Sequence, residues 1–210
     1  MSRLLAGRLG WHLLDSGALY RLVAYAGLHN GLAADDRPGH ATLARNLDSR
    51  FGARPDGSEL ILLDGFDVTV GIRTEESGMG ASRVAAWPQI RYALLARQRA
   101  FARPPGLVAD GRDMGTIVFP AAPLKIFLIA SAEERALRRY NQLKGKDSAV
   151  TLAALSREIA ARDGQDATRP VAPLVPAGDA VTIDSTRLSA GEVVERVWRL
   201  GVERGLWQED

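Results

Sequence analysis

One short segment of the sequence, Ala109–Thr116, gathers the side-chain types that bind anions and cations. Asp110, Arg112 and Asp113 stand beside two glycines directly after an apolar run. Such a cluster is costly to bury for packing alone, but arginine binds phosphate oxygens through paired N–H groups and carboxylates bind hard cations. The segment therefore predicts a site for a phosphate and a metal ion.

A second polar cluster, Asp15–Arg21, reads Asp-Ser-Gly-Ala-Leu-Tyr-Arg and follows another short apolar run. Asp15 or Ser16 could simply cap the helix that starts there, because short polar side chains satisfy the free N–H groups of a first turn. The same residues could instead bind a ligand at that helix end. From these seven residues alone, both interpretations stay open.

Two arginine clusters fall in the second half of the chain. Spacings of four and three place Arg162, Asp166 and Arg169 on one helix face if the helix continues that far. They could converge on one ligand, or form a solvated face with one ion pair. The second cluster consists of Arg135, Arg138 and Arg139. These residues could form an exposed surface of their helix, or they could bind a polyphosphate together.

The elements that would carry these residues alternate between strand and helix. Short apolar runs without alternation are typical of parallel strands covered on both faces. They are residues 11–14, 107–109, 124–129 and 180–183. Helical spacing or capping patterns predict helices over residues 2–10, 18–29, 78–85, 88–101, 152–162 and 193–202, and helix starts at the Ser131/Glu134 and Ser189/Glu192 capping boxes.

The stretch between Arg50 and Val68 has a different pattern. Two Asp-Gly pairs, Asp56-Gly57 and Asp64-Gly65, separate three short runs, which indicates tight hairpins in an antiparallel meander. The whole pattern predicts an α/β fold with a parallel sheet and a small antiparallel insert. Ligands of such folds bind at the carboxyl ends of the strands, where the polar clusters lie.

Composition excludes several classes of protein. The 210 residues contain no cysteine and 3 histidines, so disulfides, thiol catalysis and a His-rich metal site are not expected. A net charge of +2 gives no reason to expect nucleic acid as a partner. No run approaches the roughly 18 apolar residues of a membrane span, and the start does not resemble a signal peptide, so a soluble cytoplasmic protein is expected.

Three segments together resemble the signature segments of bacterial cytidylate kinases. They are Leu-Leu-Asp-Ser-Gly-Ala-Leu-Tyr-Arg from Leu13, Ala-Asp-Gly-Arg-Asp-Met-Gly-Thr from Ala109, and Arg162 through Val-Ala-Pro-Leu at 171–174. The resemblance implies a P-loop nucleoside monophosphate kinase fold, with a parallel sheet flanked by helices. It also implies a single kinase domain over residues 1–210, a nucleoside monophosphate-binding insert at 45–84 and a lid at 135–165.

The resemblance also implies a role for each residue of the clusters. Cytosine is read by a carboxylate together with arginine or hydroxyl donors, and the base-recognition set corresponds to Asp113, Ser82, Arg91 and Arg169. Arg162 and Asp166 correspond to the sugar-binding positions. Tyr20, Arg21 and Arg112 correspond to positions near the monophosphate, with Ser16 close by. Arg135, Arg138 and Arg139 correspond to the lid over the transferred phosphoryl group, and Asp110 to a water-mediated Mg²⁺ contact.

The implied activity is transfer of a phosphoryl group from ATP to CMP or dCMP, giving CDP or dCDP, with Mg²⁺ as cofactor. A monomer with no nucleic acid or membrane partner is expected. Two alternatives stay open, namely a kinase for another nucleoside monophosphate and a non-catalytic remnant that binds CMP.

One departure from the family pattern concerns the phosphate-binding loop. The sequence contains no Gly-x-x-x-x-Gly-Lys-Ser/Thr segment, and Ser2–Leu9 resembles the helix that would follow it. We therefore expect the true reading frame to begin about twenty residues upstream, a length set by one strand and one loop. The 210 residues as written are expected to be inactive as a kinase and poorly soluble, because a central strand would be missing.

Overall fold

The computed structural model describes residues 1–143, 151–168 and 172–208. The helices are α1 Ser2–Leu9, α2 Ser16–His29, α3 Arg37–Asn46, α4 Glu75–Ala85, α5 Pro88–Arg99, α6 Ala132–Leu143, α7 Leu152–Thr168 and α8 Ala190–Glu203. The strands are β1 His12–Asp15, β2 Ser49–Ala53, β3 Glu59–Leu63, β4 Phe66–Asp67, β5 Leu107–Asp110, β6 Ile126–Ile129 and β7 Val181–Asp184. The chain forms two compact units, one of residues 11–111 and the other of residues 1–10 with 112–210.

The unit of residues 11–111 is organised around α2 and a parallel strand pair. Strand β1 pairs with β5 in a register that places Asp15 opposite Asp110. Leu19, Leu22 and Val23 of α2 are fully buried, because this helix packs against α3 and α4. The pairing brings the carboxyl ends of β1 and β5 to one edge, as the sequence predicts for strands that carry polar clusters.

The same unit contains the predicted antiparallel meander. Strand β3 pairs with β2 on one side and β4 on the other. Both Asp-Gly pairs make the turns: Gly57 has φ 79°, and Asp64 and Gly65 have φ 50° and 83°. Asp64-Gly65 is a two-residue turn with φ positive at both positions, which matches the twist of a hairpin. Asp56-Gly57 lies within the longer loop of residues 54–58 between β2 and β3, so the predicted antiparallel meander is confirmed, with a two-residue turn at the second pair.

The other unit is built on β6, β7 and α8. Strands β6 and β7 are parallel, and buried Ile183, Val193 and Val197 form a core cluster with neighbouring apolar side chains. The predicted Ser189–Glu192 capping box is complete, since each side chain accepts the other residue's backbone N–H. Mixed helices and parallel strands therefore confirm the predicted α/β class.

Several predicted boundaries shift, each for a local reason. Helix α2 begins at Ser16 rather than at residue 18, because Asp15 is its N-cap. Helix α5 ends at Arg99, before Phe101. Only half of the other capping box forms: Ser131 Oγ accepts the Glu134 N–H at 3.2 Å, whereas the Glu134 carboxylate accepts from Arg138.

Within the described residues, the parallel strands form two separate pairs, β1 with β5 and β6 with β7. The same residues include no helix long and apolar enough to cross a membrane.

The contact between α2 and α3 depends on a glycine. A Cβ atom at Gly27 would lie 2.2 Å from Nε2 of His40, a buried residue whose ring also meets Trp87 edge to face. Overpacking of this kind costs about 1–3 kcal/mol, so we expect Gly27→Ala to lower the free energy of unfolding by that amount in urea titrations. Gly7→Ala is the matched control, since Gly7 lies in α1 with open space around its Cβ position, and it should be neutral or stabilising.

Candidate functional site

The first turn of α2 lies at the carboxyl end of β1. Asp15 Oδ1 accepts the N–H of Ala18 at 3.1 Å, so the capping interpretation of this residue is correct. Ser16, the first residue of the helix, is 3% exposed. A helix N-terminus carries free N–H groups and positive dipole potential, which favour anions. Capping and ligand binding are therefore compatible at this turn.

The next turn of α2 carries Tyr20, which meets Arg91 of α5. The Tyr20 ring is buried, and the Arg91 guanidinium carbon lies 5.6 Å from its centre. Arg91 Nη1 also donates to the carbonyl of Ala85 at 3.0 Å. A cation over an aromatic face is attracted by the ring quadrupole, so these two predicted site residues position one another.

Arg21 connects α2 to the segment before α4. Its Nη1 donates to the carbonyls of Ile72 at 3.0 Å and Thr74 at 3.3 Å. A Cβ at Gly78 of α4 would lie 3.2 Å from both terminal nitrogens of Arg21, so the missing side chain leaves room for the guanidinium. Ser82 follows one turn later on α4 and is half-buried. Five predicted site residues thus lie on three helices of this unit, namely Ser16, Tyr20 and Arg21 on α2, Ser82 on α4 and Arg91 on α5.

Arg73, which the sequence patterns did not reveal, ends the 3₁₀ turn Gly71–Arg73. Its Nη2 donates to Asp15 Oδ2 at 2.9 Å and to Glu59 Oε2 at 2.9 Å. Burial alone would lower the pKa of the Arg73 guanidinium, but the charges of Asp15 and Glu59 outweigh it and raise that pKa above its ordinary value. No spacing pattern marks this arginine, because its partners come from distant parts of the chain.

In the other unit, Asp113 is 4% exposed and directly precedes a π-helical turn, Met114–Val118. The Val118 N–H donates to the Asp113 carbonyl at 3.2 Å, which is the five-residue spacing of a π-helix. Single π-helical turns occur frequently at functional sites. Arg112, the preceding residue, is exposed. The predicted base-reading carboxylate is thus buried while its arginine neighbour is open to solvent.

The π-helical turn is held from the side by a lysine. Lys125 packs its stem over Gly115, where a Cβ would lie 3.1 Å from Lys125 Cδ. Its Nζ donates to the carbonyl of Pro120 at 2.6 Å and to Asp179 at 2.7 Å. The segment that follows Asp113 is therefore fixed in place.

The predicted lid arginines make contacts with protein groups. Arg135 forms a bidentate ion pair with Asp163 of α7, with Nη1 to Oδ1 at 2.7 Å; the hydrogen-bonded carboxylate raises the pKa of Arg135. Arg138 donates to Glu134 at 2.7 Å and to the Leu188 carbonyl at 3.1 Å. Arg139 is exposed. These contacts join α6 to α7 and to the segment between β7 and α8.

The remaining predicted residues lie on or after α7. The helix extends to Thr168, so residues 162 and 166 share it as the spacing predicts, although their side chains lie outside what the structure describes. Arg169 lies outside the described residues altogether.

A cavity of about 660 Å³ opens beside α6 in the unit of residues 1–10 and 112–210. Its lining includes charged and hydroxyl side chains, namely Glu134, Arg138, Thr186, Arg187 and Ser189. The volume lies within the range typical of small-molecule sites.

Among the residues that the structure describes, no group of three or more acidic, histidine or cysteine side chains could hold a metal ion. Mg²⁺ does not need such a group, because it keeps several waters and binds through one or two carboxylates and substrate phosphates. The carboxylate of Asp110, exposed at the end of β5, fits a water-mediated contact of this kind.

Comparison with known proteins gives consistent matches. The family model for cytidylate kinase matches residues 1–202. The cytidylate kinase of Stutzerimonas stutzeri (strain A1501) is 56% identical over 207 residues, which cover 98% of this chain and 90% of that protein. The cytidylate kinase of Marinomonas sp. (strain MWYL1) is 54% identical over 98% of this chain and 91% of the relative. The cytidylate kinase of Pseudomonas aeruginosa (strain LESB58) is 59% identical over 93% of this chain and 86% of that protein.

The α/β fold class and these matches together define a nucleoside monophosphate kinase. Within that class, the chain belongs to the cytidylate kinase family. The resemblance recognised in its three signature segments is thereby confirmed.

Proposed function

We propose that this protein transfers the γ-phosphoryl group of ATP to CMP or dCMP and produces ADP with CDP or dCDP. A phosphate oxygen of the monophosphate forms a new bond to the γ-phosphorus, and the bond from that phosphorus to the β,γ-bridging oxygen breaks. The reaction needs no covalent enzyme intermediate, so catalysis depends on positioning and on neutralisation of charge. The fold expected for this activity is the P-loop nucleoside monophosphate kinase type.

The arrangement around α2 supports the proposal most strongly. The chain is 56% identical to a cytidylate kinase. In this arrangement Tyr20 contacts Arg91, and hydrogen bonds to two backbone carbonyls orient the Arg21 guanidinium. A phosphate monoester carries close to two negative charges at neutral pH, and guanidinium groups bind its oxygens in pairs. We assign Tyr20, Arg21 and Arg112 to the monophosphate, with Ser16 beside it.

We assign recognition of the base to Asp113, Ser82, Arg91 and Arg169. Cytosine presents an amino donor where uracil presents a carbonyl acceptor. The buried carboxylate of Asp113 can accept from that amino group, whereas it would repel the uracil carbonyl. The sugar is assigned to Arg162 and Asp166, whose positions share α7.

We assign ATP to the cavity beside α6, because Arg138 lines it and belongs to the predicted lid. We assign Arg135, Arg138 and Arg139 to the transferred phosphoryl group. Arg135 and Arg138 would reach it if their present contacts with protein groups were exchanged for phosphate oxygens. Closure of a lid over residues 135–165 would exclude water from the transferred group. Mg²⁺, when bound, neutralises phosphate charge, and Asp110 would hold one of its waters. Action in the cytoplasm and as a monomer stays expected from the sequence.

The proposal is tested by calorimetry and a coupled assay of ADP formation. We expect CMP and dCMP to bind to the 210 residues, with CMP favoured over UMP by about tenfold, since a mismatched polar pair costs about 1–3 kcal/mol. Stimulated ADP release from ATP is expected from the form of the protein that carries a phosphate-binding loop. Equal activity with UMP would favour the alternative of a kinase for another nucleotide. Binding of CMP without ADP release, also by the form that carries the loop, would favour the CMP-binding remnant. Binding of neither nucleotide would contradict the proposal.

A further inference from the structure

We infer that Arg73 is a positioning residue for the phosphate-binding arginine. It ties the 3₁₀ turn to the first turn of α2, and through that turn it sets the direction of the Arg21 guanidinium. The inference rests on the proposed function, in which Arg21 binds the substrate monophosphate. Nothing in the sequence pattern assigned a role to Arg73.

Two arginines link the same pair of segments in opposite directions. Arg21 reaches from α2 to the carbonyls of Ile72 and Thr74, which stand immediately before and after Arg73. Arg73 reaches back from the 3₁₀ turn to Asp15, the N-cap of α2. The Arg21 contacts hold the turn that carries Arg73, and the Arg73 contact holds the first turn of the helix that carries Arg21. If Arg73 is lost, the turn that carries the carbonyls of Ile72 and Thr74 loses its ion pair with the N-cap of α2.

The meander also contacts Arg73. We call the ion pairs of Arg73 with Asp15 and Glu59 the Arg73 clamp. Glu59 begins β3 and accepts from Arg73 Nη2 through both carboxylate oxygens, at 3.2 and 2.9 Å. The Arg73, Asp15 and Glu59 side chains are 40%, 32% and 23% exposed. Ion pairs this accessible to solvent contribute little to global stability. Their effect should therefore appear in the geometry of the turn rather than in the melting temperature.

Arg73 also changes the charge that an incoming phosphate meets. Asp15 stands at the N-terminus of α2, where its carboxylate would repel a dianion bound by Arg21, five residues after Ser16 on the same helix. The ion pair with Arg73 at 2.9 Å cancels that charge. Both effects concern the phosphate of the substrate and not its base or sugar.

The effect of Arg73 on the phosphate can be separated from a purely structural effect by comparing CMP with cytidine, which has the same base and sugar. In calorimetric titrations of Arg73→Met, we expect the affinity for CMP to fall about tenfold, as when one charge-assisted contact is weakened. The affinity for cytidine, which lacks the phosphate, should stay within about twofold of the unsubstituted protein. Arg73→Lys should recover part of the loss, because an ammonium group restores the charge but is shorter and lacks the planar guanidinium that places Nη2 between the two carboxylates.

Arg50→Met is the matched control, since Arg50 is an exposed arginine on β2 of the same meander and its loss changes the net charge equally. It should leave both affinities unchanged. If Arg73→Met weakens cytidine and CMP alike, or leaves CMP binding unaltered while the unsubstituted protein binds CMP, the inference is wrong and the proposed function stands. If the unsubstituted protein binds no CMP, the proposed function fails, and the inference falls with it.

Discussion

Asp113→Asn should reduce the preference for CMP over UMP by about 100-fold. The carboxylate accepts a charge-assisted hydrogen bond from the cytosine amino group, and such bonds contribute about 1.5–3 kcal/mol. A neutral amide weakens that bond and offers its own N–H to the uracil carbonyl. The weaker binding of CMP and the stronger binding of UMP both lower the ratio of CMP to UMP preference, so their effects multiply. The ratio of kcat/KM values for the two nucleotides measures it directly.

The local structure makes this substitution a clean test. Asp113 is 4% exposed and precedes a π-helical turn held by Lys125 over Gly115. Asparagine has nearly the same shape as aspartate, so the turn should be preserved, and a melting curve can verify this. Asp35→Asn, on an exposed surface position, makes the same change in charge and should leave the ratio unaltered. An unchanged ratio in Asp113→Asn would remove this residue from base recognition.

Local sequence patterns predicted the elements of the fold well where a single physical cause decides them. The Asp-Gly pairs at 56–57 and 64–65 specify tight turns because glycine tolerates positive φ, and the meander forms where they predict it. The Ser189–Glu192 capping box forms for a similar reason, since all its partners lie within four residues. Gly10, with φ 64°, ends α1 as predicted.

Predictions from local patterns were less accurate where two possible hydrogen-bond partners compete for one side chain. Glu134 could close a capping box on Ser131 or pair with Arg138 one turn later, and the ion pair at 2.7 Å prevails. The guanidinium of Arg138 also reaches carbonyls beyond β7, which no local pattern reveals. Such competition depends on distant neighbours, so the sequence alone does not decide it.

For the candidate site, the sequence predicted which residue types gather but not how they are held. Asp15, Ser16 and Asp110 lie at the ends of β1 and β5, as expected from the strand pattern. The Arg73 clamp was missed, because Asp15 and Glu59 are 58 and 14 positions away from it. The π-helical turn after Asp113 was missed as well, since its hydrogen bonds depart from the spacing that helix patterns assume.

Arg21→Met is expected to weaken CMP binding by about 100-fold or more. In the proposed function, its guanidinium binds the monophosphate, and removal of such a charged donor from a phosphate costs about 3 kcal/mol or more. The predicted loss exceeds that of Arg73→Met, because Arg21 itself contacts the phosphate whereas Arg73 only orients it. Calorimetry with CMP measures the effect, and a rise in KM for CMP in the coupled assay should accompany it.

Arg21 also has a structural role that the experiment must separate from binding. Its Nη1 donates to the carbonyls of Ile72 and Thr74, so Arg21→Met leaves both without this donor and should lower the melting temperature by a few degrees. Cytidine distinguishes the two roles: its affinity should change by less than about twofold if the fold is intact. Arg45→Met, on the exposed face of α3, is the matched control. Should Arg21→Met lose cytidine and CMP affinity in equal measure, Arg21 would serve the fold and not the phosphate.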